Sequence, residues 1–260
     1  MGCMQRLEFC STLAQEAGRL AHTGFGRSGV SMKGRHDVLT EMDGRVERFI
    51  RERIAAQFPG DAVLGEEDGA SGAADAETLW IVDPIDGTAN YARGIAHYCV
   101  SIGVMHKGEL VAAAIHDPAH ERLYSAGRGS GAWLNGERLA VSPLSDLHAA
   151  TVECGWSPRR STEDYLALVA RAMGAGCAMR RAGSGALGLA DVAAGRVEAY
   201  CELHINSWDC AAGLLLVREA GGRTNDFFAD GGLMAGNALI ATNAALGADL
   251  SRIVGIEVSR

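Results

Sequence analysis

The stretch "WIVDPIDGTANY", residues 80–91, sets two carboxylates, Asp83 and Asp86, three positions apart at the end of an apolar run. Pro84 fixes its own φ and disfavours helix for Asp83, so the spacing predicts a turn presenting both carboxylates, with the Ile85 carbonyl beside them as a neutral oxygen. Gly87 lets a ligand approach the backbone, and Thr88 then opens a short helix whose free N–H groups suit a phosphate. Other acidic residues stand at comparable places. Glu66 and Glu67 in "VLGEED" follow a strand, Asp209 in "SWDCAAG" lies near a helix start, and "DVLTEMD" supplies Asp37 and Asp43. Carboxylates at strand ends and helix starts project into the crevice where layered sheets bind ligands. Several facing one pocket would repel one another; a hard divalent cation removes that repulsion, and an all-oxygen donor set selects Mg²⁺. Metal-binding carboxylates beside an anion-binding helix start point to metal-assisted hydrolysis of a phosphate ester. Each feature alone has a plainer reading. A DxxD is more often a solvated or capping turn, Asp209 a first-turn carboxylate favoured by the helix dipole, and Glu66-Glu67 an exposed loop.

These residues must be held by a framework, and hydrophobic periodicity supplies one. Residues 4–22 read as an amphipathic helix, with Leu7, Cys10, Leu13, Ala14, Ala17 and Leu20 near helical spacing. "GFGRSGVSMKGRHD" reads as a Gly-rich loop, and Thr40 as the cap of a helix over 41–58 that Pro59-Gly60 ends. "AVLG" and "LWIVD" read as buried strands, and residues 98–141 as a meander of antiparallel strands punctuated by Lys-Gly, Asp-Pro and Asn-Gly turns. Further on, 149–154, "CAMR", "RVEAYCE" and "ALIAT" read as strands, while 161–173, "SGALGLADVAAG" and "SWDCAAGLLLVREAGG" read as helices. The alternation implies a layered, mixed α/β (α+β) fold in one unit spanning 1–260, with lobes 1–147 and 148–260.

A chain of 260 residues with 48% hydrophobic and 22% charged residues has the balance of a globular protein. A net charge of −8 without a Lys/Arg block argues against a nucleic-acid or membrane-surface binder. The 7 cysteines include no CxxC spacing, which predicts free thiols in a reducing compartment and no zinc site. The N-terminus carries Glu8 and Glu16 and no signal-peptide run, and no stretch reaches the ~18 apolar residues of a membrane span. A cytoplasmic location is expected.

"VLGEE", "WIVDPIDGTANY" with "VSIG" after it, and "WDCAAGLLLVREAGG" together resemble the inositol monophosphatase family of Mg²⁺-dependent, lithium-sensitive phosphatases. The resemblance covers most of the chain. "DVLTEMD" matches the early D-x-V-T-x-x-D stretch with Leu39 in place of Val, "GRGSGAWLNGERLAVS" the mid-chain hairpin, and "RRAGSGALGLADVAAGRVEAY" the later substrate-side segment. It implies a layered αβαβα sandwich of the inositol monophosphatase/fructose-bisphosphatase type and a homodimer.

The resemblance also implies roles. Glu66, Asp83 and the Ile85 carbonyl would hold one Mg²⁺; Asp83, Asp86 and Asp209 would hold a second; Glu66 would reach a third, weaker ion. Thr88, hydrogen-bonded to Asp43, would orient or deprotonate the attacking water, and the Gly87 and Thr88 amides would hold phosphate oxygens. No covalent intermediate is expected. Glu67 would orient its neighbours, and Lys33 either approaches the phosphate or is a solvated loop lysine. Gly183, Ser184, Gly185 and Glu202 would border the organic part of a small phosphorylated metabolite. The chain departs from the family in "CELHIN", where His204 takes a position that is usually small and Asn206-Ser207 precede the tryptophan. Inositol monophosphate is therefore the first expectation, with histidinol phosphate, a sugar phosphate or a nucleotide 3′-phosphate as alternatives. A regulatory or RNA-processing partner built on the phosphatase fold is the expectation of another class.

Overall fold

The computed structural model describes residues 3–27, 30–34 and 37–259, with side chains from 5–27 and 40–259. The chain opens with α1 (Cys3–Thr23), a hairpin of β1 (Val30–Gly34) and β2 (Asp37–Thr40), and α2 (Glu41–Gln57). Next come β3 (Ala62–Gly65), β4 (Gly69–Ser71), β5 (Thr78–Asp86) and the single turn α3 (Thr88–Ala92). The meander follows as β6 (Cys99–His106), β7 (Glu109–Asp117), β8 (Arg122–Gly127), β9 (Gly131–Leu134) and β10 (Glu137–Arg138). The second half runs β11 (Thr151–Cys154), α4 (Thr162–Gly174), β12 (Ala178–Arg180), α5 (Gly185–Ala193), β13 (Ala199–Ile205) and α6 (Ser207–Glu219). It closes with β14 (Arg223–Thr224), α7 (Gly232–Ala235), β15 (Asn237–Thr242) and α8 (Gly247–Val254).

Two mixed sheets organise these elements. The larger has the order β10-β9-β8-β7-β6-β5-β3-β4, antiparallel except where β3 runs parallel to β5. The smaller has the order β12-β11-β13-β15-β14. Helices α1 and α2 cover one face of the larger sheet, α5 and α6 fill the space between the sheets, and α4 and α8 cover the far face of the smaller one. The result is the five-layer αβαβα sandwich.

Each layer follows from its side chains. In α1, Cys10, Leu13, Ala14, Ala17 and Ala21 are fully buried at helical spacing against the sheet. In α6, Cys210, Ala211, Ala212, Leu214, Leu215, Leu216 and Val217 are all buried. A helix that is apolar all round must lie inside, and α6 does, between the two sheets. It can lie close to α5 because Gly213 has no side chain: a Cβ there would come within 2.5 Å of the Leu189 Cβ.

Two sequence expectations are corrected. The segment read as a Gly-rich loop contains β1, whose Val30, Ser31 and Met32 pair with Thr40, Leu39 and Val38. Its partner is the chain immediately beyond, so hairpin pairing outweighs the local glycine content. Lys33 and Asp37 lie in this hairpin, and their side chains fall outside the described residues. The turn expected at Asp83–Asp86 is the bulged end of β5. Asp83 pairs with Ser101 and Asp86 with Cys99, so three steps of β5 oppose two of β6. Pro84 cannot donate to a ladder, and a bulge is where a strand tolerates it.

Gly213→Ala tests the inner layer. Overpacking costs ~1–3 kcal/mol, and better helix propensity returns up to ~1 kcal/mol. A net destabilisation of about 1–2 kcal/mol is expected in urea unfolding. An unchanged midpoint would contradict the close approach of α5 and α6.

Candidate metal and active site

Four carboxylates reach the site from three elements, β5, α2 and α6, and each has part of its charge anchored by nearby donors. Asp83 is buried, and its Oδ1 accepts the Ile85 N–H at 3.0 Å. Asp86, on the same strand, meets the start of α5. The Ala186 N–H donates to its Oδ2 at 2.8 Å, the Ser184 hydroxyl donates to the same oxygen, and the Gly185 N–H reaches Oδ1 at 3.3 Å. The Cys99 thiol also donates to Asp86, at 3.8 Å.

Asp43 and Asp209 are delivered by a shared local rule. Each is the third residue of a helix with a capping box, reaching back to the N-cap residue. The Thr40 N–H donates to Asp43 Oδ2 at 2.8 Å, and the Asn206 N–H donates to Asp209 Oδ2 at 3.1 Å. In both cases one oxygen serves the cap and the other is left for the site. The Asp43 Oδ1 receives the Thr88 hydroxyl at 3.2 Å, and the same hydroxyl lies 2.8 Å from the Ile85 carbonyl.

Ligand atoms of Asp83, Asp86 and Asp209 lie within 4.8 Å of one another. Burial first, and then the charges of Glu66, Asp86 and Asp209, push the Asp83 carboxyl well above its ordinary range. Burial likewise raises Asp86, although its hydrogen bonds oppose the shift. Asp209 is pushed up to about 7, by burial first and the Asp86 charge second. A cluster that holds protons so tightly is one that a cation can discharge, and its donors are all hard oxygens, as Mg²⁺ requires.

Glu66 is set beside the cluster by backbone pairing. Gly65 of β3 pairs with Val82 of β5, and the Glu66 N–H donates to the Val82 carbonyl at 3.3 Å, next to Asp83. Gly87 takes φ 91° and packs against its neighbours, where a Cβ would lie 2.9 Å from the His97 carbonyl and 3.3 Å from that of Gly183.

A cavity of about 200 Å³ opens from Asp86 and Asp209. Gly183, Ser184, Gly185, Arg181, Tyr200 and Glu202 help line it. The Ser184 hydroxyl and Gly185 amide are engaged with Asp86, and Glu153, Glu202 and Arg181 are further charged side chains of the lining. Glu202 Oε2 accepts the Tyr200 hydroxyl at 2.6 Å, and burial pushes its carboxyl up to about 8. Burial thus favours the protonated form, which presents both a donor and an acceptor. His204 lies off this cavity, in an adjoining one of about 550 Å³ that also touches Glu66, Trp208 and Asp209. Its Nε2 lies 3.0 Å from the Ala235 carbonyl, so it donates there. Arg180 pairs with Glu153 and Asp191. Sequence reasoning missed Glu47 and Cys99. Only Glu47 carried a signal, lying one helical turn beyond Asp43.

The five-layer fold and its buried all-oxygen cluster are those of a family of phosphatases acting on small phosphorylated substrates. The sequence model of the inositol monophosphatase family matches residues 4–255, and the chain belongs to that family. It is 42% identical over 200 residues to the Nus factor SuhB of Xylella fastidiosa, covering 76% of this chain and 72% of that protein. It is 38% identical over 227 residues to an inositol-1-monophosphatase of Rhizobium meliloti, covering 86% and 85% of the two. The crystal structure of the extragenic suppressor protein SuhB from Bartonella henselae matches with a TM-score of 0.90 at 33% identity, over 96% of this chain and 98% of that one. No described helix is long and apolar enough to cross a membrane.

The raised carboxyls give a signed pH prediction. Between the unfolded range near 4 and about 7, the metal-free folded protein holds protons that the unfolded chain has released. Their contribution to stability is full below that window and is lost as pH rises through it. Mg²⁺ competes with the same protons, so the rise in Tm on adding Mg²⁺ should be larger at pH 8 than at pH 5.5. An equal rise at both would show that these carboxylates do not take the ion.

Proposed function

We propose that the chain hydrolyses a small phosphomonoester with Mg²⁺, inositol monophosphate first among candidates. The convergence of Asp83, Asp86 and Asp209 carries this reading. Asp83, Asp86 and Asp209, with Glu66 and the Ile85 carbonyl, would hold the ions. When bound, Mg²⁺ lowers the pKa of a ligated water and neutralises charge developing on phosphate and leaving group.

The protein's own contribution is orientation. Thr88 gives its proton to the Asp43–Ile85 side, so its oxygen lone pairs face away and can accept a hydrogen bond from the attacking water. Asp43 is itself fixed through Thr40, and this fixes the direction of the Thr88 hydroxyl. The Gly87 and Thr88 amides would meet phosphate oxygens. On the organic side, a polyol hydroxyl both donates and accepts, matching the protonated Glu202, while Arg181 adds positive potential.

The relative named inositol-1-monophosphatase supports the polyol choice. The second cavity beside His204 leaves room for histidinol phosphate, sugar phosphates or nucleotide 3′-phosphates. Rapid turnover of one of these beside negligible turnover of inositol 1-phosphate would replace the first choice. We further expect a cytoplasmic homodimer that Li⁺ inhibits.

A second reading, a partner in a transcription complex, is favoured by the relative named Nus factor SuhB. The complete acidic set argues that such a role would stand beside hydrolysis rather than replace it.

Asp86→Asn and Asp209→Asn should each lower kcat/KM by at least ~10³-fold while the protein stays folded by circular dichroism, because each removes ligand charge. Retention of most activity in either variant would sink the assignment.

A further inference from the structure

Among the described residues, Glu47 is a fully buried carboxylate that the proposed site does not use. Glu47 lies on α2, one turn beyond Asp43, with no exposed surface. Its Oε2 accepts the Glu67 N–H at 2.8 Å, and its Oε1 accepts the Asp68 N–H at 3.0 Å. Arg51 supplies the counter-charge at 2.7 Å and also donates to the Gly69 carbonyl and the Ser71 hydroxyl, both at 2.6 Å. The carboxylate thus lies beneath the three-residue turn 66–68 between β3 and β4 and holds its amides from below. Gly65 makes the room: a Cβ there would fall 2.4 Å from Glu47 Oε1.

This arrangement bears on one residue. The Glu66 backbone is tied on one side to Val82 through its own N–H, and on the other through the Glu67 amide to Glu47. Between these ties its side chain stands in the field of Asp83, whose charge repels it. An untethered turn would relax by carrying Glu66 away from Asp83, and an incoming ion would then have to reorganise it.

We infer that Glu47 is a positioning residue, which clamps the 66–68 turn so that Glu66 stays beside Asp83 and thereby sets metal affinity. The inference rests on the metal-dependent reading proposed above. It also gives α2 two tasks one turn apart, since Asp43 fixes Thr88 while Glu47 fixes Glu66.

Glu47→Gln keeps the size but turns an NH₂ group towards one of the two turn amides. The test is Mn²⁺ binding to metal-free protein, followed by electron paramagnetic resonance. Kd should rise on the order of 10-fold, the range seen when groups supporting metal ligands are removed. The Mg²⁺ concentration for half-maximal activity should rise in parallel, with kcat at saturating Mg²⁺ falling less than about 3-fold. Amide exchange in peptides covering 64–71 should quicken in the metal-free variant. Leu168→Ala, which opens a cavity under α4 on the far face of the smaller sheet and is destabilising but remote from both the turn and the carboxylates, should leave the Mn²⁺ Kd unchanged, which separates positioning from general loss of stability. If Glu47→Gln does not fold, Arg51→Gln serves in its place. It removes the counter-charge and should raise Kd by a smaller factor. A Mn²⁺ Kd equal to wild type in the folded variant overturns the inference alone. Failure of the wild type to bind Mn²⁺ overturns it together with the proposed function.

Discussion

Like charges held together in a buried place are the constraint on which this molecule turns. Asp83, Asp86 and Asp209 crowd one buried place, and their proton affinity is raised by burial first and, for Asp83 and Asp209, by the neighbouring carboxylates as well. They stay because each is tied locally: Asp83 by the amide two residues on, Asp86 by the start of α5, Asp209 by its own capping box. None of these ties depends on a bound ion. The protein therefore presents the cluster preorganised, and the free energy of relieving the repulsion remains available to whatever cation enters.

The ties also place the site on a seam. Asp83 and Asp86 belong to the larger sheet, while Ser184 and Asp209 belong to the two helices of the middle layer. Those helices touch both sheets, so the distance between residues over a hundred positions apart is set by packing in the centre of the sandwich. Asn90 reinforces the join, donating to the His97 and Ala182 carbonyls, both at 2.9 Å. An outward shift of α5 would loosen Asp86 from the three of its donors that lie at the start of that helix and widen the cavity at the same time. Core packing and ligand geometry are thus one problem here.

Much of this was legible in the sequence where the signal is local. The helix over α6 carries "SWDCAAGLLLVREAGG", apolar on every side and closed by two glycines, and could be placed closely. The meander announced itself through its turns. The short strands β4 and β14 and the helices α7 and α8 were not anticipated, since two to eight residues carry too little period to read. Ser184 was expected to border the substrate, and its bond to Asp86 was not foreseen: the two are 98 residues apart, and no local pattern encodes such a contact. Glu47 gave a single hint, its place one helical turn beyond Asp43. Only the fold shows that its face of α2 is turned inward beneath the turn that carries Glu66.

The most instructive departure is at Asp83–Asp86. In a regular strand, side chains alternate, so residues three apart point to opposite faces. A plain strand would have sent one of these carboxylates away from the site, and it was natural to expect a turn instead. The bulge achieves the same end with less chain. Because three steps of β5 oppose two of β6, Asp83 and Asp86 stand against Ser101 and Cys99, which are two apart and share a face. The extra residue flips the register once, and both carboxylates come to the same side. Pro84 sits inside the irregularity, where its missing N–H breaks no ladder bond and its ring stiffens the kink. The D-P-x-D spacing is therefore the spacing of a bulged strand end, in which two acids that alternation would part are brought to one face.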